Sequence, residues 1–259
     1  MFSTCVIIPV YNHEHAIGAV VESIRAQGLP LLLVDDGCSA VCRLELERLS
    51  ALPGVTLVRH EKNRGKGAAV VTGLKTAYAQ GFTHALQIDA DGQHTLADVR
   101  RFVEEARAFP ADIICGRPIF DASIPKSRYY GRYLTHGLVW LETLSFEIID
   151  SMCGFRVYPL APTMALLARR KIGARMDFDT EILVRLVWRD TPTRWLATRV
   201  CYPLDGVSHY RLFLDNVRMT SLHARLLLGM VLRSPVLMWR RFRRAGAAQH
   251  AADRSLGKL

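Results

Sequence analysis

Asp89 and Asp91, in the run Gln87-Ile88-Asp89-Ala90-Asp91-Gly92-Gln93-His94, are two carboxylates separated by one small residue. The apolar stretch His84 to Ile88 before them reads as a strand, and side chains two apart on a strand point the same way. The pair then converges at the strand's carboxyl end, where an open α/β sheet places its ligands. Two hard oxygen donors there suit Mg²⁺ or Mn²⁺, completed by water and substrate phosphates. A turn whose Asp and Gly cap the next helix is the plainer alternative.

Three more segments fall where strands should end. In Pro9-Val10-Tyr11-Asn12 a proline ends the ladder and Tyr11 offers an aromatic face to a nucleobase; an ordinary strand-to-helix turn has the same composition. Val34-Asp35-Asp36-Gly37 carries carboxylates able to accept from ribose hydroxyls or a base, or Asp36 or Ser39 caps the following helix. Asn63-Arg64-Gly65-Lys66-Gly67-Ala68-Ala69 opens a helix, where backbone N–H groups can approach an anion. The spacing is not that of a Walker loop, and close packing of a glycine-started helix explains it equally well.

The elements that must position these groups alternate along the first half. Strands are expected at Cys5–Val10, Leu31–Val34, Val55–Arg59, Ala85–Ile88 and Asp112–Cys115. Helices are expected near His15–Gln27, Val41–Ser50, Gly67–Gln80 and Leu96–Phe109. Repeated β-α-β units with continuous apolar strands imply a Rossmann-like fold: a mostly parallel sheet with helices on both faces. Beyond Gly116 the pattern loosens, with helices expected at Tyr129–Phe146, Ala161–Lys171 and Phe178–Arg189, and a strand at Thr193–Cys201. Pro203-Leu204-Asp205-Gly206 reads as a turn, and the helix-prone stretch from Tyr210 to Arg244 is expected to break near Ser234-Pro235. This organisation predicts a catalytic domain over 1–210 and a basic amphipathic helical tail over 211–259.

A chain of 259 residues, half of them hydrophobic, can bury a substantial core around one large domain. Its net charge of +10 calls for an anionic partner. From Arg211 onward ten Arg or Lys face two Asp, so the tail holds +8 and the body only about +2. Basic residues flanking Leu226-Leu227-Leu228-Gly229-Met230-Val231-Leu232, with Trp239 beyond, suit a helix lying among lipid headgroups. A helix packed on the catalytic domain is the alternative. No zinc-finger spacing or aromatic RNA-binding motif accompanies the charge, so no nucleic-acid partner is expected. No apolar stretch reaches the length of a spanning helix. The six cysteines form no Cys-x-x-Cys and no evident disulfide framework, so a reducing cytosol is expected, with the protein peripheral on the cytoplasmic face of the membrane.

The four strand-end segments, in their order, resemble the family 2 glycosyltransferases of GT-A fold, and among them the dolichol- or polyprenyl-phosphate sugar transferases. The resemblance covers roughly residues 4–210 and implies transfer of a sugar, with inversion, from a UDP or GDP sugar to a lipid or polyprenyl-phosphate acceptor. It implies that Pro9, Tyr11, Val34 and Asp36 line the nucleobase and ribose pocket, with Lys66 and Ala90 also on the donor side. It implies that Asp89, Asp91 and Gln93 surround the metal, and that Arg117, Arg132 and, more weakly, Arg128 reach phosphate. Asp150-Ser151-Met152-Cys153-Gly154-Phe155-Arg156 is similar to the family's acceptor-side segment, with Cys153 in place of serine. Gly206-Val207-Ser208-His209 stands where many relatives carry Gly-x-Ser-Lys, and His13 where many carry Glu.

A hydroxyl acceptor needs a general base, and Asp179 and Glu181 resemble positions near the acceptor in relatives. Asp177 can instead cap the helix at Phe178, and Glu181 can pair with Arg185 at i, i+4. A phosphate acceptor is already ionised and needs no base. Two other readings share parts of this pattern: a sugar nucleotidyltransferase, and an inactive or non-enzymatic module that binds membrane or nucleic acid through its basic tail.

Overall fold

The computed structural model describes residues 1–120, 126–200 and 212–256, and the side chains within them except those of 126–129, 212–213 and 244–256. Seven strands form one sheet: β1 (Thr4–Val10), β2 (Leu31–Asp35), β3 (Val55–Arg59), β4 (His84–Gln87), β5 (Ile113–Phe120), β6 (Arg156–Pro159) and β7 (Thr193–Val200). Their spatial order is β3-β2-β1-β4-β6-β5-β7, parallel except for β6, which runs antiparallel to β4 and β5. The expected α/β architecture is thus present. The four-residue β6 has too short an apolar run to stand out from a buried helix segment, and it is the strand that sequence periodicity missed.

All seven residues of β1 are buried, as befits a central strand covered on both faces. Successive residues serve opposite layers: Ile7 joins the core with α3 (Lys66–Ala79), while Val6 and Ile8 join the core with α1 (Glu14–Arg25) and α2 (Ala40–Ser50). On α1 the buried Ile17, Val20, Val21 and Ile24 form an i, i+3, i+4, i+7 stripe. Ser39 caps α2 by accepting from Cys42 N–H at 3.3 Å. Helix α4 (Asp98–Ala108) packs against β5 and β6. Helices α5 (Lys126–Thr143), α6 (Leu160–Leu167), α7 (Phe178–Val187) and α8 (Leu212–Leu256) complete the chain.

Two expectations about strand ends are corrected. Pro9 does not end the β1 ladder but sits inside it, in register with Val34 of β2. Its missing N–H costs nothing there. Pro9 faces the same side as Ile7, where pairing to β4 stops once Ile88 N–H has bonded Ile7 C=O at 3.1 Å. Strand β4 ends at Gln87, so Asp89 and Asp91 lie in the turn beyond it rather than on the strand.

The expected break near Ser234-Pro235 is also absent: α8 runs unbroken through Pro235. Proline removes the N–H that would have bonded the carbonyl of Val231, four residues back. The Ser234 hydroxyl donates to that carbonyl at 2.9 Å, and Leu237 on the next turn is buried in the core. Leu222 and Leu226 are buried in the same cluster, and α8 packs along α5. No helix among the described residues is long and apolar enough to cross a membrane. The expected turn at 203–206 and the segment Gly206-Val207-Ser208-His209 lie outside the described residues.

Candidate active site

The carboxyl ends of β1, β2 and β4 meet the start of α3 and α7. Lys66, the first residue of α3, is the hub: its Nζ lies 2.8 and 3.0 Å from the two oxygens of Asp89 and 3.0 Å from Oδ2 of Asp179. One ammonium therefore ties the turn after β4 to the first turn of α7. Burial disfavours the Lys66 charge, but Asp179 and Asp89 more than offset it and hold the amine protonated. Burial likewise opposes ionisation of Asp89, and Lys66 with His94, 3.8 Å away, wins and holds that carboxyl below the usual range. Asp91 is pushed the other way, by burial and then by the charge of Asp89. Its Oδ1 accepts from Gln93 N–H at 3.0 Å. Both carboxylates are carried by this turn, stabilised by the local bond and by Gly92 at φ +70°, instead of by strand alternation.

Beneath the hub lies a polar network that the residue spacing did not reveal. Gln87 donates to Asp179 Oδ1 at 3.0 Å and accepts from the Tyr158 hydroxyl at 3.2 Å. The fully buried Arg156 donates to the Asp179 carbonyl at 2.5 Å and to the Ser151 carbonyl at 2.6 Å. Gln87 is a polar residue in an apolar strand, two before Asp89; that period-2 relation was the available signal. Gly154 forms the floor: a Cβ there would come within 2.8 Å of Gln87 Nε2 and Lys66 Nζ and 3.2 Å of Asp89 Oδ1. Burial pushes the Cys153 thiol up to about 12, so this cysteine stays neutral.

The other anticipated residues divide clearly. Asp36 is buried, and its carboxylate accepts from Gly65 N–H (2.7 Å), Arg64 N–H (2.9 Å) and Asn63 Nδ2 (3.0 Å), with His60 Nδ1 at 2.7 Å. It organises the loop that launches Lys66. The N–H groups of residues 64 and 65 are thereby taken, and Gly65, at φ +102°, packs where a Cβ would overlap the Ala174 carbonyl. The glycines here serve close packing. Pro9, Val34 and Ala90 are buried, the last two within the apolar core, whereas Tyr11 stands half-buried at the end of β1. Gln93 is half-buried beside Asp91.

Asp179 belongs to the hub and Glu181 does not. Two residues apart on a helix, they project to different faces. Glu181 is held by Arg185 (2.6 Å) and Gly173 N–H (2.8 Å), as the i, i+4 alternative anticipated. Asp177 occupies the N-cap position of α7, yet its carboxylate accepts from Arg175 N–H at 3.1 Å rather than capping the helix. Arg132 is bidentate to Asp150 at 2.5 and 3.0 Å. Arg117 is exposed on β5 after Gly116, and its guanidinium makes no hydrogen bond or ion pair among the described residues. The side chain of Arg128 lies outside the described ones.

Among the described residues no three His, Cys, Asp or Glu side chains are arranged to hold a metal by themselves. The donor set still fits a cation that a substrate completes: two hard carboxylates, of which Asp89 has its charge met here by the Lys66 ammonium, 2.8 Å from Oδ1.

Comparison with known proteins bears on the chemistry. The family model described as glycosyl transferase family 2 matches residues 5–174. The UDP-N-acetylglucosamine–dolichyl-phosphate N-acetylglucosaminyltransferase of Methanococcus voltae is 27% identical over 198 residues, covering 69% of this chain and 77% of that protein. The polyprenol monophosphomannose synthase of Mycolicibacterium smegmatis is 30% identical, over 60% of this chain and 61% of its own length. Among solved structures, glucosyl-3-phosphoglycerate synthase from Mycobacterium tuberculosis, in complex with Mn²⁺, UDP-glucose and phosphoglyceric acid, superposes with a TM-score of 0.63. It is 16% identical and covers 88% of this chain and 79% of that one, a likeness of fold.

Proposed function

The chain belongs to glycosyl transferase family 2, and from that premise we propose that it moves a sugar, with inversion, from a UDP or GDP sugar to a polyprenyl-phosphate-type lipid at a membrane surface. The observation that carries this reading is the Lys66 hub, which joins Asp89, on the same turn as Asp91, to Asp179 at the sheet's carboxyl edge. Asp89 and Asp91 would hold Mg²⁺ or Mn²⁺ together with the donor's diphosphate. Such a cation, when bound, neutralises the charge that builds on the leaving nucleotide. In this reading Lys66 would turn from Asp89 toward the diphosphate, and the exposed Arg117 would add a charge-assisted bond. The Mn²⁺ and UDP-glucose bound in a structural neighbour support the donor class.

The pairing of the carboxylates supports a phosphate acceptor. Asp179 is ion-paired to Lys66 and Glu181 to Arg185, so neither stands free as a general base. A phosphate oxygen needs none. The acceptors in the relatives' names, dolichyl phosphate and polyprenol phosphate, support the same choice.

Membrane contact finds support in the faces of α8. Leu222, Leu226 and Leu237 are buried, while Leu228, Val231, Leu232, Trp239 and Phe242 face outward, Leu232 at 75% exposure. Tyr130, Tyr133, Leu134 and Leu141 are exposed on α5, which packs against α8, and Arg225 and Arg243 are exposed on α8 itself. Five described cysteines are buried free thiols, which supports a place on the cytoplasmic, reducing side.

The test incubates labelled UDP and GDP sugars with Mn²⁺ and either polyprenyl phosphate or the free polyprenol. Label entering the organic phase only with the phosphate supports the proposal. Transfer to the alcohol alone, or no use of any nucleotide sugar, overturns it.

A further inference from the structure

Away from the hub, a cavity of about 310 Å³ opens where the ends of α6 and α7 meet α8. It is lined by Arg169, Arg170, Arg185, Arg189 and Arg233 around Trp188. Trp188 follows the last turn of α7, about 13 Å along the helix from Asp179 at 1.5 Å per residue. Of the five cations, only Arg185 has a carboxylate partner, Glu181 at 2.6 Å. Arg233 stacks over Trp188 at 4.8 Å and donates to its own helix at the Gly229 carbonyl. The guanidinium groups of Arg169, Arg170 and Arg189 make no hydrogen bond or ion pair among the described residues. Asp190, the sequence neighbour of Arg189, lies 3.9 Å from the Arg243 guanidinium.

We propose that this cavity is an anion site, distinct from the sugar-donor site, that takes a phosphate-bearing group. The argument is one of charge and shape. Five guanidiniums around one small volume repel each other, and among the described residues no acidic one lines the cavity; the one carboxylate paired with any of them is Glu181, on Arg185. Burial, and then the neighbouring charges of Arg170 and Arg185, already weaken the hold of Arg233 on its proton. Planar forks with unused N–H donors converging on one cavity match the oxygens of a phosphate, which can accept from several arginines at once. Trp188 also lines the cavity, but its indole N–H is taken by the Glu142 carbonyl at 2.9 Å, so recognition falls to the arginines. Arg233 lies on the same helix as the outward Leu232 and Val236, so the group is either a lipid headgroup reached from the bilayer surface or a free phosphate compound.

The site stands independently of the proposed reaction, and its test needs no catalysis. Thermal unfolding is followed in chloride buffer with a chelator, with inorganic pyrophosphate titrated against sodium chloride of equal ionic strength. A second arm measures flotation with phosphatidylcholine vesicles lacking or containing phosphatidic acid. The main variant is R170Q/R189Q, whose replaced side chains are exposed and make no hydrogen bond or ion pair among the described residues, so the fold is retained; R233Q removes a third wall.

Wild-type protein is expected to be stabilised in a saturable way by at least one probe, with affinity weakened roughly tenfold or more in both variants. Without anion, R170Q/R189Q is expected to unfold no lower than wild type, because repulsion is relieved. A response to pyrophosphate identifies a soluble ligand; a response to phosphatidic acid alone identifies a headgroup. Pyrophosphate binding at the donor site would be equal in wild type and variants. That equality, or no response to either probe, would overturn the proposal and leave an arginine cluster neutralised by solvent.

Discussion

Lys66 carries more of the account than the two aspartates that first drew attention. It sits where a cation bound by Asp89 would compete with it, and the two positive charges cannot share one carboxylate without cost. Metal alone should therefore bind weakly, and metal with a nucleotide diphosphate should bind well, because the diphosphate gives Lys66 a new partner. Replacing it in K66M is expected to tighten Mn²⁺ binding measured by EPR in the absence of nucleotide by about tenfold, and to weaken UDP or GDP binding by a similar factor. Unchanged Mn²⁺ affinity in K66M would separate Lys66 from the metal site. The importance of Lys66 was legible only in part. Its place at a helix start after glycine pointed to an anion, but the partner in this structure is Asp89, and Asp36 takes the backbone N–H groups instead. Residue type and spacing show which groups can act; they do not show which partner wins when carboxylates and phosphates compete for one cation.

Among the elements, the segment 150–156 shows how a loop between α5 and the short β6 is fixed in place. Asp150 accepts from Met152 and Cys153 N–H groups at 2.9 and 2.8 Å and is clasped by Arg132, with His136 at 3.5 Å. Burial alone would raise its pKa, but His136 and Arg132 hold the carboxyl well below the usual range. A carboxyl depressed in the folded state stabilises above its unfolded pKa of about 4, and that contribution fades as pH falls toward the folded value. D150N is therefore expected to cost about 3 kcal/mol at neutral pH. Its deficit in denaturant unfolding should shrink as the pH is lowered below about 4; a deficit constant with pH would assign the loss to packing. The elements with strong periodicity, β1, β2, β3 and α1 to α4, were readable from sequence within a few residues. Those settled by tertiary partners were not: β6 is four residues long, and α8 continues through Pro235 because Ser234 and Leu237 supply what proline removes.

At the scale of the whole molecule, α8 is part of the body, since its inner face completes the core that also holds Phe178 and Trp188. Deleting it would expose that core, so membrane attachment is better probed from its outer face. L232E/W239E is expected to retain the wild-type circular dichroism spectrum while losing most of its co-sedimentation with anionic vesicles. Undiminished co-sedimentation would move the contact elsewhere. The claim on which the rest depends is that Asp89 and Asp91 hold a divalent cation jointly with a nucleotide diphosphate. Mn²⁺ EPR titrations of the wild type and of D89N/D91N, each with and without UDP or GDP, test it most directly. The account predicts tight, nucleotide-dependent Mn²⁺ binding to the wild type and its loss in the double variant. Equal Mn²⁺ binding by both proteins, or binding indifferent to nucleotide, would contradict it.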